Sequence, residues 1–350
     1  MAMDTKKNKG RLAGLYFILL SFLLIGQTLL FARDNKPLGF FPLRSQSPIQ
    51  QLRFGIQHHP PWTVPQGKWA LQLQHTWKNI WLYSDEVFRF DGEVHETVPR
   101  VAYSLTDRLE LMAELPVRYL SGGILDGIIE GFHSTFGLTQ AGRKRFPSDD
   151  FVVEAYVPDK GKISATSAKG WQIGNLVASV TYSLVSNPDK FRAIVTGNVK
   201  FPTASTKELF GSQKIDGGLS FGIGKTIKSS LHFYYNLGLL YFGDKKILGL
   251  ELRQWHLSSL LAFEYHKLAS KHSWILQGLI ESGVARNYYE FSERTYELMF
   301  GYKHRYESGW VFEIGFLENL FYFDNSPDIA LHVAVTKFLS SPNRLVQIRE

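Results

Sequence analysis

Leu109-Glu110-Leu111-Met112-Ala113-Glu114-Leu115-Pro116-Val117-Arg118-Tyr119 alternates with a period of two: its odd positions are Leu, Leu, Ala, Leu, Val and Tyr, and its even positions carry Glu110, Glu114 and Arg118. Successive side chains of a strand point to opposite faces, so this stretch has one greasy face and one charged face. It needs lipid or core on one side and water on the other. The same unit, roughly ten alternating residues and then a turn, recurs about a dozen times between Gly67 and Phe338. Repeated with aromatic ends, it is the pattern of an all-β, transmembrane antiparallel β-barrel.

Twelve strands are predicted, at 67–80, 94–104, 108–119, 175–185, 190–201, 216–226, 230–242, 253–266, 272–282, 294–304, 309–317 and 328–338. Short connections (105–107, 186–189, 227–229, 267–271, 305–308) alternate with longer ones (81–93, 120–174, 202–215, 243–252, 283–293, 318–327). Tight periplasmic turns and long outer loops alternate in this way in an antiparallel barrel, and an even strand count leaves both ends of the barrel on the periplasmic side. A soluble β-sandwich also alternates. Its strands average five or six residues, whereas these run near ten, the length that crosses hydrocarbon at a tilt. Aromatic residues mark strand ends on the apolar face, at Trp69, Trp77, Tyr119, Phe191, Phe201, Tyr241, Trp255, Tyr265, Trp274 and Trp310. An indole or phenol sits best where hydrocarbon meets headgroups.

Residues 1–32 read as a secretory signal: Lys6, Lys7, Lys9 and Arg11 precede an uncharged, mostly apolar stretch from Leu12 to Ala32, the expected cleavage point. The stretch is long enough to cross a bilayer, so an uncleaved inner-membrane anchor is the competing reading. Residues 33–66 are proline-rich and irregular, a periplasmic segment or a plug, since proline cannot donate to a sheet ladder. The barrel is expected over 67–338, with a short polar tail at 339–350. Without Lys6, Lys7, Lys9, Arg11 and Asp4 the formal charge falls from +7 to +4. The charge is dispersed, which gives nucleic-acid binding no support. The chain has no cysteine, which excludes disulfides and a lipid-modified N-terminal cysteine.

With the apolar positions facing lipid, Glu96, Arg100, Glu110, Glu114, Arg118, Arg192, Lys200, His256, Glu264, Glu281, Glu297, Lys303 and Glu313 are expected to line the lumen. On the third strand Leu111, Ala113 and Leu115 face lipid. Lumen charges of both signs suit a small aqueous pore, or a closed interior in which they only pair with each other. In the long 120–174 connection, Leu125, Ile128, Ile129, Phe132 and Phe136 stand at helical spacing, predicting a short amphipathic helix over 124–136 that caps the rim or acts as a lid. Residues 151–157 alternate and should form an arm of an outer hairpin. Phe338 is out of phase with Leu331, Val333 and Val335, so a bulge or a register error is expected near the last strand's end.

Several stretches resemble an uncharacterised family of outer-membrane proteins, domain of unknown function 3187. They are Pro42-Leu43-Arg44-Ser45-Gln46-Ser47-Pro48, Tyr103 to Leu111 (YSLTDRLEL), Ser326-Pro327-Asp328, and most specifically Gly122 to His133 (GGILDGIIEGFH). Val199-Lys200-Phe201-Pro202-Thr203 and the Gly174-Asn175-Leu176 strand entry look like those of porin-like transporters of organic compounds, although such porins usually carry Gly-Asp where this chain has Gly174-Asn175. The resemblance implies fold and place, and carries no activity with it.

Outer-membrane lipases place a His and a Ser two apart on one strand, facing lipid. His256-Leu257-Ser258 has the spacing but shares a face with Glu264, so it points inward and no enzyme is expected. His58-His59 lacks neighbouring carboxylates or cysteines, so no metal site is expected, and no phosphate-binding or calcium-binding loop calls for a cofactor. Two function classes follow: a porin-like channel for small or hydrophobic solutes, and a non-conducting structural or surface-interaction barrel. The expected partners are outer-membrane lipid and lipopolysaccharide, the barrel-assembly machinery and, for a channel, a small-molecule solute.

Overall fold

A computed structural model describes residues 37–48, 50–137, 139–157, 160–187, 191–204, 212–247, 249–267, 270–320 and 325–340. The expected signal segment, its cleavage point and most of the C-terminal tail lie outside them. The strands are β1 Lys68–Ser84, β2 Phe88–Ser104, β3 Leu109–Glu114, β4 Val117–Ser121, β5 Val152–Val157, β6 Gly161–Ser164, β7 Gly170–Ile173, β8 Val177–Asn187, β9 Phe191–Lys200, β10 Asp216–Lys228, β11 Leu231–Tyr241, β12 Lys246–Ile247, β13 Leu250–Glu251, β14 Trp255–Tyr265, β15 His272–Glu281, β16 Thr295–Arg305, β17 Trp310–Asn319 and β18 Ile329–Ser340. One helix, α1 Asp126–Phe136, lies in the long connection after β4.

Every neighbouring pair is antiparallel, and β1 pairs with β2 on one side and β18 on the other, closing the sheet on itself. Twelve staves make the barrel, two of them broken. β3 and β4 form one stave interrupted at Leu115-Pro116, where proline has no amide hydrogen to donate. β7 and β8 form the next, interrupted at 174–176 beside it, with the Gly174 amide bonded to the Pro116 carbonyl.

Two expectations are corrected. Residues 81–93 are not a long loop: β1 and β2 continue as a hairpin to a tight turn at 85–87. Alternation persists there, with Leu82, Phe88 and Phe90 buried on the inner side. A strand of 17 residues at about 3.3 Å each exceeds the hydrocarbon thickness even when tilted, so the hairpin stands beyond the membrane. Nor is there a bulge near Phe338: β18 pairs with β1 in unbroken register from Ile329 to Ser340 and runs two residues past Phe338. The phase change falls where the strand leaves the lumen, and Phe338 and Leu339 are both exposed.

The outer wall is apolar, with Leu71, Leu73, Leu111, Val180, Leu219, Leu257, Leu261 and Phe316 exposed. Trp69, Phe191, Tyr241, Trp255, Tyr265 and Trp310 stand among them at strand ends, as a lipid-facing surface requires. Among the described residues no helix is long and apolar enough to cross a membrane, so crossing is left to the strands.

Candidate functional site

The interior of the barrel is occupied by the chain's own N-terminal segment. Residues 37–66 enter at the short-turn end, climb to the long-loop end, make one 3-10 turn at Gln50–Leu52, and descend to join β1. The hydrogen bonds trace the path. Glu264, near the short-turn end of β14, accepts the amides of Leu38 and Gly39 at 2.7 and 2.9 Å. Gln277 bonds both backbone groups of Phe41, and Lys303 donates to the Phe40 carbonyl at 2.8 Å. Higher up, Glu297 accepts the Ser45 hydroxyl at 3.0 Å and the Gln46 amide at 2.9 Å. Near the long-loop end, Gln50 reaches Thr295, and Arg53 donates to the Arg253 carbonyl at 2.6 Å. On the way down His58 meets Ser258 at 2.8 Å, and His59 meets Glu110 at 2.8 Å. The Val64 amide bonds Glu110, and Gln66 reaches Asp107 in the first short turn.

Proline suits this role for the reason it is excluded from central strands: a segment threading a tube has no ladder to complete, and its amides can be met by wall side chains. Apolar contact adds to the polar pins. Phe40, Phe41 and Leu43 pack against Tyr234, Leu260, Ile275, Leu279 and Met299 on one side of the lumen, while Phe54 and Ile56 pack against Val177, Leu240 and Phe242. The other side of the lumen is polar, with Gln74, Thr76, Lys78, Glu96, Glu110, Glu114, Arg118, Ser179 and Thr181 all buried.

The thirteen residues named from the sequence all stand on the inner face. Eleven are buried outright, and Arg100 and Arg192 are partly buried. Eight touch the N-terminal segment. Glu96 pairs with Arg44 at 3.0 Å as well as with Arg118 of the adjacent stave. Arg100 donates to the Pro42 carbonyl at 3.3 Å, Arg118 to the Gln51 carbonyl at 3.2 Å, and Arg192 lies 4.9 Å from the Trp62 ring. Glu110, Glu264, Glu297 and Lys303 make the contacts above. The other five support partners within the wall: Glu114 holds Arg100, Glu313 holds Lys303, Lys200 pairs with Asp216 at 2.9 Å, and Glu281 accepts from Ser258 and meets His256. The eleven buried ones are tolerated because each has an opposite charge or several hydrogen bonds.

Lys78, Asp216, Asn236 and Gln277 also face inward, although the expected lumen set lacks them and their phase was available; Arg44 and His59 of the segment carry no periodicity that would place them in the lumen. It also did not name the inward apolar patch, because Leu260, Ile275 and Met299 look like the lipid face in composition. His58 and His59 go to different walls and do not converge. The His256 and Ser258 side chains share Glu281 inside the barrel, out of reach of membrane lipid.

An apolar cluster stands at the long-loop end. Leu82, Phe88 and Phe90 of the tall hairpin, Phe151 and Val157 of the long connection, and Tyr288 and Phe291 of a later loop form one buried apolar cap. The Phe90 and Phe291 rings stack at 5.6 Å.

A family model described as protein of unknown function DUF3187 matches residues 20–338, which take in the barrel and its internal segment. The chain belongs to the DUF3187 family. No curated protein matches it in sequence. Among solved structures, this DUF3187 barrel is similar in fold to the COG4313 outer membrane channel from Pseudomonas putida F1, with a TM-score of 0.54 and 11% identity over 81% of this chain and 100% of that chain. The NanC porin has a TM-score of 0.44 at 10% identity, over 76% and 98% of the two chains. For the CymD monoaromatic hydrocarbon channel the figures are 0.39 and 13%, over 79% and 89%.

Proposed function

We propose that this DUF3187 protein is a porin-like channel of the outer membrane of a Gram-negative-type bacterium, passing small or hydrophobic solutes when its N-terminal segment leaves the lumen. The observation that carries this reading is the polar character of the contact between segment and wall. An interior that stays closed is most cheaply filled by apolar side chains, and buried ion pairs add little stability over an apolar filling of equal volume. Here Arg44, His59 and the amides of residues 38, 39, 41, 46 and 64 are met by wall carboxylates and amides that water can solvate when the segment moves. The apolar patch under Phe40 and Phe41 then offers a moving hydrophobic solute a surface opposite the charged side. The fold it shares with an outer membrane channel agrees with this reading.

The filled lumen also favours a second reading, a non-conducting barrel whose outer loops contact a partner or lipopolysaccharide. Planar-bilayer recording separates the two. The full chain should open rarely, and a variant lacking residues 37–66 should carry stable unitary currents. Silence from both at high protein density, with heat-modifiable barrels confirmed on gels, would leave the scaffold.

A further inference from the structure

The most specific stretch of the sequence, Gly122 to His133, takes no part in the lumen. It lies on the outside of the barrel wall. Asn79 of β1 and Glu93 of β2 stand opposite each other in register, on the outward face that also carries Leu71 and Leu73. Glu93 accepts the amides of Ile124 and Leu125 at 2.7 and 2.5 Å, and Asn79 donates to Asp126 at 3.1 Å. Asp126 is buried against Arg143, which reaches on to Asp328 at 2.5 Å. The start of α1 is therefore clamped to the wall's outer surface by buried charge pairs.

The height of the clamp is defined by its neighbours. One outward rung nearer the short-turn end, Trp77, His95, Tyr119 and Trp171 face one another across β1, β2, β4 and β7. Their rings contact in sequence, at 5.2, 6.4 and 5.1 Å. Trp171 is 72% exposed, and Trp77 donates its indole N–H to the same Glu93. An aromatic row of this kind marks the hydrocarbon–headgroup boundary, and the helix begins roughly 7 Å above it, two residues of strand rise.

The helix is amphipathic in a matching way. Asp126 and Ile129 face the wall and are buried. About a quarter-turn round lies a stripe of Ile128, Phe132 and Phe136, exposed by 66, 54 and 52%, continued by Ile124 at 68%. The other flank carries Glu130 and Ser134. Apolar side chains this exposed in one row are costly in water and favourable in an acyl layer.

We infer that α1 is an interfacial helix, seated on the outside of the barrel with Ile124, Ile128, Phe132 and Phe136 in the acyl boundary of the outer leaflet and Glu130 and Ser134 toward water. The same connection delivers Phe151 and Val157 to the apolar cap over the lumen, so the helix ties that cap to the membrane surface. The inference rests on the barrel being embedded in a bilayer, and the test separates the two.

Because the native chain has no cysteine, single variants Ile128→Cys, Phe132→Cys, Ser134→Cys and Leu73→Cys can be labelled with an environment-sensitive fluorophore. Each full-length protein is folded into phosphatidylcholine vesicles with or without brominated acyl chains. Quenching at positions 128 and 132, with little at 134, is the expected result. Leu73 on the barrel wall reports insertion itself. Quenching at 73 without quenching at 128 and 132 overturns the helix assignment and leaves the barrel intact, as does equal quenching at 128, 132 and 134. No quenching at 73 overturns the membrane barrel on which the assignment rests.

Discussion

Glu96, on the inner face of β2, is held between Arg118 of the next stave and Arg44 of the N-terminal segment, whose guanidinium lies 3.0 Å away. One carboxylate thereby joins the plug to the wall. Glu96→Gln leaves two buried guanidiniums facing each other, and stripping a partner from such a pair costs about 3–5 kcal/mol. The wall's backbone ladder is untouched, so the segment should be released before the barrel opens. Limited proteolysis with mass spectrometry should find cleavage within 37–66 in the variant and protection in the wild type, both remaining heat-modifiable. A variant segment as protected as the wild type would remove Glu96 from this role.

Ala113 and Met112 are adjacent on β3 and face opposite ways. Ala113 lies opposite Val101 and Ala178 on the lipid side, and Met112 is buried toward the lumen. Arginine on a barrel's lipid face near midplane costs about 2–4 kcal/mol. Ala113→Arg should therefore lower folding yield into vesicles strongly. Met112→Arg should still insert, now by displacing the segment that fills the lumen, and should raise conductance. If Met112→Arg inserts less well than Ala113→Arg, the register is inverted by one residue.

Gly123 has φ +80°, and a Cβ there would come 1.9 Å from the Glu93 carboxyl carbon. Gly123→Ala carries both a left-handed-backbone cost and a clash with the group that holds Ile124 and Leu125, together about 1–3 kcal/mol. The expected effect is local: faster amide hydrogen exchange over 122–136 with the barrel strands unchanged. Unaltered exchange in that stretch would show that Glu93 does not clamp the helix.

Phe338 is exposed close to the short-turn end of the closing strand. An aromatic near the end of the last strand is the feature that barrel-assembly machinery is expected to engage. Phe338→Ala should slow assembly in cells while leaving the folded barrel's denaturation midpoint within about 1 kcal/mol of wild type. Removal of residues 341–350 should change neither. Equal rates of appearance in the membrane for Phe338→Ala and wild type would refute the assignment.

The wall was legible because alternation is a local signal: each Glu110, Glu114 and Arg118 declares its face against its immediate neighbours. It faded where composition and facing part company. Leu260, Ile275, Leu279 and Met299 are apolar and point inward, because a lumen filled by Phe40 and Phe41 is a core on that side. It failed at 81–93, expected as a long connection although the paired hairpin continues through it to a turn at 85–87. The helix was visible from its spacing, but rim, lid and outer wall are equally compatible with a helical period.

What the sequence determined by itself is therefore the barrel and its stave count, both of which follow from period-two patterning and the length needed to cross a bilayer. The destination of residues 37–66 was decided only in three dimensions. Glu264 lies more than two hundred residues from the amides of Leu38 and Gly39 that it receives. A segment without periodicity carries no local record of what will satisfy its backbone. Its place is set by the donors and acceptors that closure of the barrel brings round it.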